Sequence, residues 1–277
     1  MTKAGFNPAR RNRNIGTSAA GHGHANALVI PHSGHADRMW WETLREHAIV
    51  QRDVAGRQIS FYVEKTKPKF AYALTINDVC HLLSLIPTTD WEGLSTFVFR
   101  QPTSKQVLLK PVWGRIDYYA ELFAPGEAPH PGAPAIFLEA VNITRSIKWS
   151  KHLGPDDQKE LQRLSSDGHD IRYSSKSVII KSSYDSVRST QLYRTFLHEI
   201  GHWVDYCARV ERLSVKHEYA DLLDLFWARP EKEREAVAHR YADSIRQKLL
   251  SANSIPFERI FDPKEVNDKI LFASFAT

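Results

Sequence analysis

Two histidines and a glutamate fall within five residues, His198-Glu199-Ile200-Gly201-His202. Four residues make about one turn of α-helix, so a helix here would put His198 and His202 on one face. Two imidazoles stacked in this way can bind one zinc ion. The intervening Glu199 can then act as general base on a zinc-bound water. That chemistry is hydrolysis, with a peptide bond in a protein or peptide substrate as the first expectation. The competing reading is a surface helix that carries the three residues by accident. Leu192, Phe196, Leu197, Ile200, Val204 and Cys207 argue against it, because they recur at helical spacing around the motif. Gly201 is a poor residue for a helix interior, so its presence predicts close approach by another part of the chain.

A catalytic zinc of this kind needs a third protein ligand and leaves a fourth position for water. Asp205 and Ala208 stand where a metzincin would have glycine and its third histidine, which excludes that class. The remaining common source is a glutamate on a following helix. Pro230 is well placed to start one, and Ala236, Val237, Ala238, Tyr241, Ala242, Ile245 and Leu249 give it an apolar side. Three glutamates compete for the role. Glu231 and Glu233 fall in the first turn, where the helix dipole alone favours carboxylates. Glu235 borders Ala236, Ala238 and Ala242, small residues that permit tight packing against another helix.

H-E-I-G-H at residues 198–202, followed by E-A-x-A-x-x-Y-A-D at 235–243, resembles the gluzincin branch of zinc metallopeptidases. The resemblance covers about residues 177–247 and is more specific in the first motif than in the second. It implies His198, His202 and Glu235 as ligands of one Zn²⁺ per chain, and Glu199 as the base. It also implies an α+β fold with a zincin-like core, in which a mixed sheet packs beside the active-site helix and an edge strand borders the cleft. The N-terminal half carries no such resemblance.

Further residues could complete the chemistry. Ligand histidines usually donate their second N–H to a carboxylate or carbonyl, and Asp205, three residues after His202, is the nearest helical candidate. A developing oxyanion needs a donor, for which Tyr241, His239 and His217 are available. His239 is four residues from Glu235 and shares its face, whereas Tyr241 is six residues on and nearly opposite. Asp167-Gly168-His169-Asp170 reads as a polar turn without chemistry.

These groups need a scaffold. The order of elements predicts helices over 36–51, 75–85, 155–164 and 191–209, with a long helix after Pro230. Strands are expected over 58–65, 95–100, 106–112, 115–123, 135–140 and 176–181. Residues 178–182 are the expected edge strand, because they immediately precede the motif helix. Residues 36–277 then read as one metallopeptidase domain with lobes over 36–186 and 187–277 and a helical C-terminal part.

Composition narrows the alternatives. Cys80 and Cys207 are the only cysteines, which excludes a disulfide framework and a cysteine zinc finger. No apolar run is long enough to span a bilayer, and no apolar segment follows the basic N-terminus. A cytoplasmic location is the default expectation. The net charge of +5 draws much of its excess from Lys3, Arg10, Arg11 and Arg13, in a segment over 1–35 that reads as a disordered basic tail. Such a tail could contact nucleic acid. That motivates the alternative of a peptidase-like regulatory or binding protein.

Overall fold

The computed structural model describes residues 42–109, 112–124, 132–261 and 274–275. The basic tail expected over 1–35 and the start of the helix expected over 36–51 lie outside the described residues.

From His47 onward the chain is strand rather than helix. Strand β1 (His47–Val54) pairs antiparallel with β2 (Arg57–Glu64). Ala48, Val50 and Val54 turn inward while Ile49 is exposed, the alternation of a half-buried strand. Ala55 and Gly56 close the hairpin with positive φ angles of 52° and 76°, the backbone that a tight two-residue turn requires. Helix α1 (Ile76–Leu85) begins where expected, with Thr75 and Asp78 forming a reciprocal capping box. Strand β3 (Thr96–Arg100) follows.

Residues 106–109 of the strand expected over 106–112 belong instead to a short helix, α2 (Ser104–Leu109), and residues 110–111 lie outside the described residues. Thr103 Oγ1 accepts from the Gln106 N–H at 3.2 Å, and Gln106 Oε1 accepts from the Thr103 N–H at 2.7 Å. This second capping box outweighs the local apolar run.

Strands β4 (Gly114–Ala120) and β5 (Ala133–Glu139) complete a five-stranded mixed sheet of order β1-β2-β3-β5-β4. The inner strands β2, β3 and β5 are parallel, and the two edges β1 and β4 are antiparallel to their neighbours. One sheet face, with Phe61, Phe97 and Phe99, packs on Leu192, Phe196, Leu197 and Ile200 of the motif segment. Phe196, Leu197 and Ile200 are fully buried, and each contributes about 1.5–3 kcal/mol.

A separate antiparallel sheet of order β6-β8-β7 is built from β6 (Ile147–Ser150), β7 (Asp170–Tyr173) and β8 (Ser177–Lys181). Helix α3 (Pro155–Ser166) covers it through Leu161 and Leu164. The strand before the motif is therefore flanked on both sides and is not an edge. β4 fills that position, because antiparallel pairing with β5 on one side leaves its other side at the rim of the larger sheet.

The motif helix is longer than expected. It starts at α4 (Tyr184–Thr190), capped by Ser183, and runs on through α5 (Phe196–Tyr206). Wider i→i+5 turns over Gln191–Thr195 and Cys207–Glu211 flank α5. Such turns are frequent at functional sites. Helix α6 (Tyr219–Ala228) and the long α7 (Glu231–Ser251) after Pro230 form the helical C-terminal part. Among the described residues no helix is long and apolar enough to cross a membrane.

Candidate metal centre

Helices α5 and α7 cross at Gly201. A β-carbon there would come within 2.8 Å of the Ala238 carbonyl oxygen and 2.9 Å of the Ala238 α-carbon. The close approach expected of Gly201 is thus met by the backbone of α7, at the fully buried Ala238. This crossing carries the N-terminal half of α7 over the histidines.

Of the three competing glutamates, Glu231 and Glu233 are exposed in the first turn of α7. Glu235 faces the histidines, with Oε2 3.1 Å from His198 Nε2 and Oε1 3.3 Å from His202 Nε2. One ligand atom from each of His198, His202 and Glu235 lies within 4.8 Å of the others. Tetrahedral donors about 2.0–2.2 Å from a zinc ion lie roughly 3.3–3.6 Å apart. The set could therefore hold a divalent metal, with two imidazole nitrogens and one carboxylate. Hydrogen bonds with His198 and His202 hold the Glu235 carboxyl well below the usual carboxylate range, so it is an anion ready to ligate.

Glu199 lies between α5 and the sheet and is 7% exposed. Burial, opposed by the neighbouring His198 and reinforced by Glu235, pushes its pKa up to about 7. That is the range in which a general base works best near neutral pH. Strand β4 lies on its other side. The Glu139 N–H bonds to the Trp113 carbonyl, and the register continues through Arg115 opposite Phe137. Alternate residues of an antiparallel edge strand point off the sheet, so the Ile116 N–H faces outward. There it lies on the side of the Glu199 carboxylate, whose ionised form it favours. The alternation of Ile116 and Tyr118 in a strand was visible in the sequence, but its edge position was not.

The supporting residues divide. His239 is brought to the site, its ring centroid 4.4 Å from that of His198, and burial lowers its pKa. Tyr241 is not available as an oxyanion donor, because its hydroxyl donates to Asp90 Oδ2 at 2.8 Å and its β-carbon packs near Gly201. Asp205 does not orient a ligand histidine. Its two oxygens accept from Arg209 Nε at 2.9 Å and Arg229 Nη1 at 2.6 Å. His217 is exposed in the turn before α6. The Nδ1 atom of His198 is buried without a hydrogen-bond partner.

His169 was read as part of a polar turn. It is buried, with Nδ1 3.0 Å from Ser182 Oγ and Nε2 2.9 Å from Thr190 Oγ1. Thr190 Oγ1 donates onward to Asp167 at 2.8 Å, so the cluster fastens the loop before β7 to α4.

A cavity of about 290 Å³ opens beside His198 and Glu199, between the start of β4, α3 and α7. No protein-family model, curated protein or solved structure matches this chain.

Proposed function

We propose that the chain is a zinc-dependent metallopeptidase, with the sheet, α5 and α7 as a zincin-like core of gluzincin type. The observation that carries this reading is the convergence of His198, His202 and Glu235 from two helices upon one point, beside the buried Glu199. His198, His202 and Glu235 would hold the ion. When bound, it would supply a Lewis acid and an acidified water. Glu199 takes a proton from that water. Its raised pKa lets it retain the proton and deliver it to the leaving amine. Ile116 of β4 lies beside that carboxylate. Next to it, the outer side of β4 offers main-chain groups to an extended peptide, which could add as a further strand.

The test is Glu199→Gln in the zinc-loaded protein, assayed with an internally quenched peptide library. Zinc should stay near one per chain by elemental analysis, while hydrolysis falls by ~10²–10⁴. Undiminished hydrolysis in this variant would remove Glu199 from the mechanism. Failure of the parent protein to retain zinc would remove the metal.

A further inference from the structure

We propose that the cavity beside the metal site binds a carboxylate of the substrate, carried by a residue close to the scissile bond, through Arg163 and Arg246. This rests on the peptidase reading. The cavity is lined by His198, Glu199, His239, Ala242, Arg163 and Arg246. Glu235, His239, Ala242 and Arg246 recur at helical spacing and form one stripe along α7. His239 and Arg246 are two turns apart, about 10 Å along the axis. An extended peptide advances about 3.3–3.6 Å per residue, so a carboxylate within a few residues of the scissile bond falls in reach.

The hydrogen-bond ledger of the cavity selects an anion. Arg194 is fully engaged, with Nε 2.6 Å from Asp167 and both terminal nitrogens 3.0 Å from Glu160. Arg163 and Arg246 are not. Arg163 stands 3.9 Å from Glu160 and 3.8 Å from Asp243, and Arg246 stands 3.6 Å from Asp167. These contacts are too long for hydrogen bonds. The Nε of Arg246 is also buried with no partner. Two guanidinium groups therefore keep more donors at one cavity than the unpartnered Asp167 Oδ1 beside Arg246 can satisfy, and a carboxylate is the group that accepts them. A cationic side chain would fare worse. Glu160 already serves Arg194 with both oxygens, and Asp243 is 66% exposed at the rim.

The carboxylate could belong to an acidic side chain or to a free C-terminus, and three probes separate them. N-acetylglutamic acid α-amide carries only the side-chain carboxylate, N-acetylglutamine only the terminal one, and N-acetylglutamine amide neither. Each is titrated by calorimetry or NMR against the full zinc-loaded chain and its R163Q and R246Q variants. One or both acids should bind about 10–100-fold more tightly than the neutral probe. Either substitution should remove most of that preference and leave the neutral probe unaffected. If Arg246→Gln unfolds the protein through its contact with Asp167, the more exposed Arg163→Gln decides. Equal binding of all three probes overturns the proposal. So does a preference that survives both substitutions, as it would if the carboxylate bound the metal. Peptides with Glu or Gln at each position flanking the scissile bond give a second reading, in which the acidic peptides should be cleaved faster. Cleavage without such a preference sinks the carboxylate subsite alone. A carboxylate preference in binding with no peptide cleaved sinks the peptidase reading alone.

Discussion

Glu199 holds its carboxyl group almost out of water, and this burial makes stability depend on pH. Burial, against His198 and with Glu235, raises its pKa from 4.5 to about 7 in the folded protein. Between those values the folded state binds more protons than the unfolded state. Stability therefore falls as pH rises through this window, by on the order of 3 kcal/mol for the whole shift. Glu199→Gln cannot ionise. In the metal-free protein it should match the parent at pH 4 and be more stable by that amount at pH 8, measured by denaturant unfolding in the presence of a chelator. Equal stabilities at both pH values would mean that Glu199 is not desolvated. At this scale the grouping that could hold a metal is legible in the sequence, because His198, Glu199 and His202 lie within about one helical turn and Glu235 borders the small residues that let α7 approach. Asp205 and Tyr241 are engaged elsewhere, because Arg229 and Asp90 come from distant parts of the chain and pair with them.

The contact between α5 and α7 decides whether Glu235 reaches the histidines. Propensity alone favours Gly201→Ala by about 1 kcal/mol. The crossing opposes it, because the new methyl would meet the α7 backbone at 2.8–2.9 Å, where no flexible side chain can yield. Overpacking of this kind costs about 1–3 kcal/mol, so the net effect should be destabilising. More tellingly, zinc affinity should fall with it, because α7 must shift to make room. Competition with a chromogenic chelator checks this, and unchanged affinity would show that Glu235 is not held in place by the crossing. The same scale explains the errors in reading the elements. The hairpin of β1 rests on pairing with β2 across a two-residue turn at Ala55-Gly56, and its start resembles an amphipathic helix in isolation. The α2 segment departs from the expected strand because the Thr103–Gln106 capping box starts a helix there. Strand β8 looked like an edge from its place in the sequence, but β6 and β7 flank it through pairings the sequence does not display.

Across the whole molecule, one set of buried side chains runs from Val54 on β1 to Phe275. Polar fastenings join distant parts of this unit. Arg188 on α4 grips the fully buried Asp78 of α1 with Nη2–Oδ1 at 2.9 Å and Nε–Oδ2 at 3.1 Å. Asp78 also accepts from the Ile260 N–H at 3.0 Å, and the Arg188 guanidinium donates to the Phe257 carbonyl at 3.1 Å. Arg188→Leu leaves the Asp78 carboxylate buried without its cation, which costs about 3–5 kcal/mol. Its unfolding midpoint should drop accordingly, while zinc stoichiometry below that midpoint stays unchanged. A loss of zinc without a loss of stability would contradict this division between scaffold and site.

The central claim is that two helices deliver three ligands to one zinc ion. It is tested most directly by anomalous scattering at the zinc edge from crystals of the zinc-loaded protein. The account predicts a single ion about 2.0–2.2 Å from Nε2 of His198, Nε2 of His202 and a carboxylate oxygen of Glu235, with one further position open to water. An ion bound elsewhere, an ion without Glu235 in its shell, or no ion at this site would contradict it.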